Sequence, residues 1–85
     1  MIVHLHKNFK KHFKKLAEPQ KKKFKERRDL FIQDEFDPVL NNHALKGKYL
    51  GYRSINVTGD LRILYKKEGD MVTFVAIDNH SNLYR

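Results

Sequence analysis

The sequence predicts an α+β fold in which a helical N-terminal half packs on an antiparallel sheet formed by the C-terminal half. Three observations carry this reading. Aromatic and leucine residues recur at helical spacing up to Phe31, prolines at positions 19 and 38 punctuate that region, and glycine-containing turns divide strand-prone sequence beyond it. Its 85 residues suit one small domain spanning residues 1–85, and 40% hydrophobic with 12% aromatic content supplies one modest core.

Residues 2–6 alternate, with Val3 and Leu5 on one side and His4 and His6 on the other, as a short half-buried strand does. From Lys7 the period lengthens. Phe9, Phe13 and Leu16 share one face of an amphipathic helix whose remaining surface is rich in lysine. Pro19 suits a first helical turn, so it opens a second helix running to about Asp34, and Glu18 favours the positive helix start. Phe24, Leu30 and Phe31 are its inward residues, with Phe36 a further candidate, and Pro38 closes the helical half. Asn41, Asn42 and Gly47 then form a turn-rich link. Residues 49–57, 61–66 and 71–77 read as three strands, separated by Thr58-Gly59-Asp60 and Lys67-Glu68-Gly69-Asp70, in an antiparallel meander. Residues 79–85 are too polar for a central strand and suit a terminal turn or short helix.

Charge is unevenly placed. The net formal charge is +8, but residues 1–28 carry +9, residues 29–40 carry −4 and residues 41–85 carry +3. A basic segment of this kind attracts polyanions because phosphate contacts release condensed counterions, so nucleic acid leads as the partner class; a solvated outer helix face explains the same charges. With no cysteine, disulfides, thiolate zinc sites and cysteine nucleophiles are excluded. No apolar run approaches a membrane span, and Met1 to Lys7 lacks an apolar signal-peptide core, so the expected setting is cytoplasmic with no membrane partner.

His4 and His6 share a strand face but lack carboxylate or thiolate partners at ligand spacing, so neither a metal nor another cofactor is expected. His12, among lysines, reads as solvated. His43, Arg53, Asp60, Arg62, His80 and Tyr84 all fall at or near strands and turns of the C-terminal half. Cleavage of RNA by its own 2′-hydroxyl needs a base for that hydroxyl, an acid for the departing 5′-oxygen and a cation for the phosphorane, and histidine, aspartate and arginine suit those tasks. Each also has a plain structural use: Asp60 in a hairpin, Arg62 as a strand-surface charge, Tyr84 as a core-edge aromatic.

Asn-Asn-His-Ala-Leu-Lys-Gly, Gly-Tyr-Arg-Ser-Ile, Gly-Asp-Leu-Arg-Ile-Leu-Tyr and Asp-Asn-His-Ser-Asn-Leu-Tyr-Arg, in this order between Asn41 and Arg85, resemble the RelE/ParE toxin superfamily, in particular its YafQ-like mRNA endoribonuclease branch. The resemblance implies a microbial RNase-like RelE fold: a strand, a two-helix hairpin, an antiparallel sheet and a short C-terminal helix. It further implies a toxin of a type II toxin–antitoxin system, which enters the ribosomal A site, cuts translated mRNA and is neutralised by a cognate antitoxin.

Position by position, His43 matches the family histidine before the Leu-Lys-Gly turn, Asp60 the hairpin aspartate, His80 the C-terminal histidine and Tyr84 the terminal aromatic; Arg62 resembles the RelE-type strand arginine. The resemblance casts Asp60 or His43 as base, His80 as acid, Arg62 as phosphate stabiliser and Tyr84 as a platform for a base or the phosphate. Two positions depart from it: Asn56 stands where a histidine is frequent, and Leu61 where a tryptophan often follows the aspartate. Asn56 cannot shuttle a proton near neutral pH, and Arg62 can compensate with charge. For docking on ribosomal RNA the candidates are Lys7, Lys10, Lys11, Lys14, Lys15, Lys21, Lys22, Lys23, Lys25, Lys46, Lys48 and Arg53. Two other functions fit parts of the chain: a ParE-like inhibitor of DNA gyrase acting by protein binding, and a basic RNA- or membrane-surface module led by the first helix.

Overall fold

The computed structural model describes residues 1–83. Its strands are β1 (Ile2–Leu5), β2 (His43–Ala44), β3 (Arg53–Asn56), β4 (Leu61–Glu68) and β5 (Met71–Asn79); its helices are α1 (Lys7–Phe13), α2 (Glu18–Gln33) and α3 (His80–Leu83). The five strands form one sheet in the order β1-β5-β4-β3-β2. The β3–β4–β5 meander is antiparallel, as the turn chemistry predicts. The sheet is nevertheless mixed, because β1 runs parallel to β5. Parallel neighbours need a long crossover, and here the chain travels through both helices and the meander before β5 returns beside β1.

Boundaries also differ from expectation. The first helix ends at Phe13 rather than near Leu16, and the strand expected from residue 49 begins at Arg53. Residues Gly47–Tyr49 instead form a 3-10 turn, and Gly51 adopts φ +94°, a conformation that L side chains rarely reach and that breaks the extended run. Conversely, β4 and β5 run on to Glu68 and from Met71, leaving a two-residue hairpin in which Gly69 supplies φ +60°.

Local signals set the helices. His6 caps α1 by accepting from the Asn8 N–H at 3.0 Å, and Lys10, Lys11 and His12 lie in its last turn, where cations suit the dipole. At the start of α2, Gln20 reaches back to accept from the Ala17 N–H at 3.0 Å. Both helices cover one face of the sheet. Phe9, Phe24 and Phe31 pack there against Ile55, Ile63, Tyr65 and Phe74, with Phe31 only 4.9 Å from Tyr65 and 5.6 Å from Phe74 between ring centroids. Each such ring contributes about 1.5–3 kcal/mol by leaving water. Leu30 packs at the margin of this core, whereas Phe36, the further inward candidate, is 61% exposed because α2 has already ended at Gln33.

A bulge at Leu64/Tyr65, opposite Val75, keeps Tyr65 and Phe74 on the helix side while Leu64 and Ala76 face the other way. On that second face a small cluster of Leu45, Leu64 and Leu83, edged by Tyr49 and Tyr52, seats α3. The Tyr49 hydroxyl fixes it by donating to the Leu83 carbonyl at 2.7 Å.

Candidate functional site

Strand register locates the candidate residues. His43 pairs with Ser54, and Ser54 with Leu64; one step along, Asn56 pairs with Arg62, and Arg62 with Asp78. Since side chains two apart share a sheet face, His43, Ser54, Asn56, Arg62 and Asp78 all belong to the face without α1 and α2. His43 and Arg62 are separated by two strand spacings and two residues along the strand, roughly 12 Å between Cα atoms. The polar atoms of β3 between them, Ser54 Oγ and Asn56 Oδ1, are buried and have no hydrogen-bond partner among the described residues.

The chain around His43 is tightly specified. Asn41 adopts φ +46° after the 3-10 turn Pro38–Leu40, which turns its carbonyl onto the His43 ring, 2.9 Å from Nδ1. A carbonyl can only accept. Nδ1 therefore carries the ring proton of the neutral imidazole in this contact, and the exposed ring presents Nε2 as a proton acceptor.

Arg62 is half-buried, and one guanidinium nitrogen donates to the carbonyls of Thr58 (3.0 Å) and Gly59 (2.8 Å). These bonds orient the fork and leave its other donors unused, with no carboxylate within ion-pair distance among the described residues. Asp60 is exposed at the end of the same turn, and its carbonyl accepts from the His80 N–H at 2.9 Å. His80 opens α3, whose first turn is capped by Asn79, the acceptor for the Asn82 N–H at 2.9 Å. The structure thus brings His80, Asp60 and Arg62 to one end of the face without α1 and α2, with His43 across the sheet from them. Tyr84 lies outside the described residues.

The lysines divide differently. Lys7, Lys10 and Lys11 of α1, with Lys14 and Lys15 just past its end, line one hollow, while Lys21, Lys22 and Lys25 border a second one with Phe13 and Pro19. Among the described residues only Lys21 and Lys23 of this segment have carboxylates nearby, Glu18 and Glu26. Lys46 and Lys48 are exposed beyond β2. Arg53 is placed otherwise: it pairs with Tyr65, on the helix side of the sheet, where its Nε donates to Asn42 Oδ1 at 2.7 Å and its guanidinium lies 5.3 Å from the Phe36 ring.

That arginine belongs to a network that sequence reading missed. Asn42 Nδ2 donates to the Tyr65 hydroxyl (2.6 Å) and to the Glu35 carbonyl (3.0 Å), the Tyr65 hydroxyl donates to Glu35 Oε2 (2.8 Å), and Lys67 reaches Glu35 Oε1 (2.7 Å). Burial pushes the Glu35 carboxyl upward, but hydrogen bonds from Lys67 and Tyr65 and the charges of Lys67 and Arg53 outweigh it and hold the group below its ordinary value. Burial, reinforced by the Glu35 charge, pushes the Tyr65 hydroxyl up to about 12. The sequence signals for this group were Arg53, which stood among the candidates for RNA contact, and the Asn41-Asn42 pair beside His43. Asp78 was also missed, although the meander register would have set it beside Arg62. Among the described residues, no three His, Asp or Glu side chains are grouped to hold a metal ion.

Comparison with known proteins converges on one description. A family profile described as "Bacterial toxin of type II toxin-antitoxin system, YafQ" matches residues 1–85. The chain belongs to the YafQ toxin family. The fold agrees: the crystal structure of YafQ from E. coli strain BL21(DE3) superposes with a TM-score of 0.81 at 24% identity, covering 98% of this chain and 97% of that one. YafQ in the E. coli DinJ-YafQ toxin-antitoxin complex gives 0.77 at 25% identity, with 98% and 96% covered. The YoeB/ParE toxin from Agrobacterium tumefaciens gives 0.77 at 16% identity, with 94% and 99% covered. No curated protein matches. The five-stranded mixed sheet with two helices on one face is the RelE-like fold of YafQ and YoeB toxins, and this YafQ-family chain is a toxin of a type II toxin–antitoxin system. No helix among its described residues is long and apolar enough to cross a membrane.

Proposed function

We propose that this YafQ-family toxin is a ribosome-dependent endoribonuclease that cuts translated mRNA by attack of the 2′-hydroxyl on the adjacent phosphate. The observation that carries this reading is the arrangement of His43 and Arg62 on one sheet face, His43 with Nε2 outward and Arg62 with donors unused. His43 Nε2 takes the 2′-hydroxyl proton. Arg62 stabilises the charge that gathers on the phosphorane, a task typically worth about 10²–10³ in rate for one well-placed donor. His80 returns a proton to the departing 5′-oxygen, and Asp60, whose carbonyl anchors the His80 backbone, supplies its exposed carboxylate as a second proton acceptor at that end of the site. Tyr84, the next residue in sequence after Leu83, serves as a platform for a base or the phosphate. Bond for bond, the O5′–P bond breaks as the O2′–P bond forms, giving a 2′,3′-cyclic phosphate and a 5′-hydroxyl.

Lysines 7, 10, 11, 14, 15, 21, 22, 23 and 25 supply affinity for ribosomal RNA on a surface apart from the cutting face, and Lys46 and Lys48, just beyond β2, add cations beside that face. Arg53 contributes to RNA binding only through the position it gives its neighbours. The site is in the cytoplasm, with its ribosomes, and the activity is restrained by a cognate antitoxin, as the DinJ-YafQ complex suggests for this relative.

The test is product chemistry. When mRNA on translating ribosomes is incubated with the protein, the cut ends carry cyclic phosphate and 5′-hydroxyl. Ends bearing 5′-phosphate would mean that water, not the 2′-hydroxyl, attacks, and would overturn the mechanism.

A further inference from the structure

We infer that Asn42 is the positioning residue for His43, acting through its amide contacts with Tyr65, Glu35 and Arg53 on the opposite side of the sheet. The inference rests on the reading of His43 as the base. β2 is two residues long and lies at the sheet edge, paired only with β3. Two ladder residues are too few to hold a side chain within the roughly 0.5 Å that proton transfer tolerates. Something else must fix it.

Asn42 immediately precedes β2, and its amide contacts lie on the helix side while His43 faces the other way, so a peg at Asn42 sets the direction in which His43 leaves the chain. The peg is well made. Asn42 Oδ1 accepts from Arg53 at 2.7 Å, and Nδ2 donates to the Tyr65 hydroxyl at 2.6 Å and to the Glu35 carbonyl at 3.0 Å. The amide can sit only one way round, because Arg53 offers no acceptor and the Glu35 carbonyl no donor. Tyr65 is fully buried, and its hydroxyl proton is committed to Glu35 at 2.8 Å, so the hydroxyl receives from Asn42 rather than giving to it. Asn41 completes the device by holding the ring itself through its carbonyl. Asn42, Arg53, Tyr65 and Glu35 all lie away from the face that carries Arg62, so none of these four needs to touch RNA.

Asn42→Asp is the informative variant. It keeps the shape and the Arg53 contact but sets an acceptor against the Glu35 carbonyl and the Tyr65 hydroxyl. Cleavage of ribosome-bound mRNA should lose about 10²-fold in kcat with KM little changed, since misplacement by an ångström costs that much without altering docking. In parallel, imidazole ¹⁵N NMR should show wild-type His43 with its proton on Nδ1 and Asn42→Asp as a mixture of tautomers. Retained kcat with an unchanged Nδ1–H signal overturns the inference. If Asn42→Asp does not fold, Tyr65→Phe decides by the same two readouts, because it removes only the hydroxyl that receives the Asn42 amide. His43→Ala separates the two readings: wild-type cleavage by that variant removes His43 from the reaction, whereas the NMR spectra still report whether Asn42 orients its ring.

Discussion

The backbone N–H of His80 donates to the carbonyl of Asp60 at 2.9 Å, tying the first residue of α3 to the turn before β4. This bond links two residues that are 20 positions apart through main-chain atoms alone. Their side chains are therefore free to be changed without breaking it. Asp60→Ala should alter unfolding free energy by no more than about 0.5 kcal/mol, as for most exposed substitutions. Its cleavage rate, measured on ribosome-bound mRNA, should fall. A stability loss instead of an activity loss would assign the Asp60 carboxylate to the turn.

Tyr65→Phe should destabilise the protein by about 1–3 kcal/mol, because Glu35 Oε2 and Asn42 Nδ2 each lose a partner in a poorly hydrated place. Urea unfolding at neutral pH reads this directly as a lower midpoint with an unchanged slope. The ring itself should stay seated against Phe31.

The same network predicts the pH dependence of stability. Glu35 is held below its ordinary value of 4.5, so its contribution is present above that pH and is lost as acid protonates the folded state. Tyr65 is raised from 10.0 to about 12, so its contribution is complete below pH 10 and fades as the pH rises toward 12. Glu35→Gln should flatten the acid limb of a plot of urea midpoint against pH. An acid limb identical to wild type would show that other carboxylates control it.

Reversing charge at α1 and its C-cap, as in Lys10→Glu with Lys14→Glu, should weaken ribosome binding and lower its salt slope by about one per lost phosphate contact. Both side chains are exposed, so circular dichroism should be unchanged. Sedimentation with ribosomes across a salt series checks both statements.

Much of this fold was legible because its punctuation is local. Gly59 and Gly69, between runs of β-branched and aromatic residues, mark the meander, and Pro19 and Pro38 bracket the helix that carries Phe24 and Phe31. The parallel pairing of β1 with β5 was not legible, since nothing near Ile2 specifies a partner around Val72. Tyr49 and Tyr52 look like strand residues, but Gly47 and Gly51 both adopt positive φ and turn that segment under α3. Within the candidate site, the meander register brings Arg62 beside Asp78, and the turn brings Asp60 to His80. The anchoring of His43 was hidden because it depends on Glu35, Asn42, Arg53 and Tyr65, four residues from four parts of the chain whose individual patterns indicate no shared contact.

The most direct measurement is primer extension on mRNA in a purified translation system, comparing wild type with His43→Ala, Arg62→Ala and His80→Ala, each matched for folding by circular dichroism. Cuts at A-site codons that require ribosomes and fade in all three variants are the expected result. Equal cutting by wild type and variants, or arrested translation with intact mRNA, would contradict a nuclease site on this sheet face.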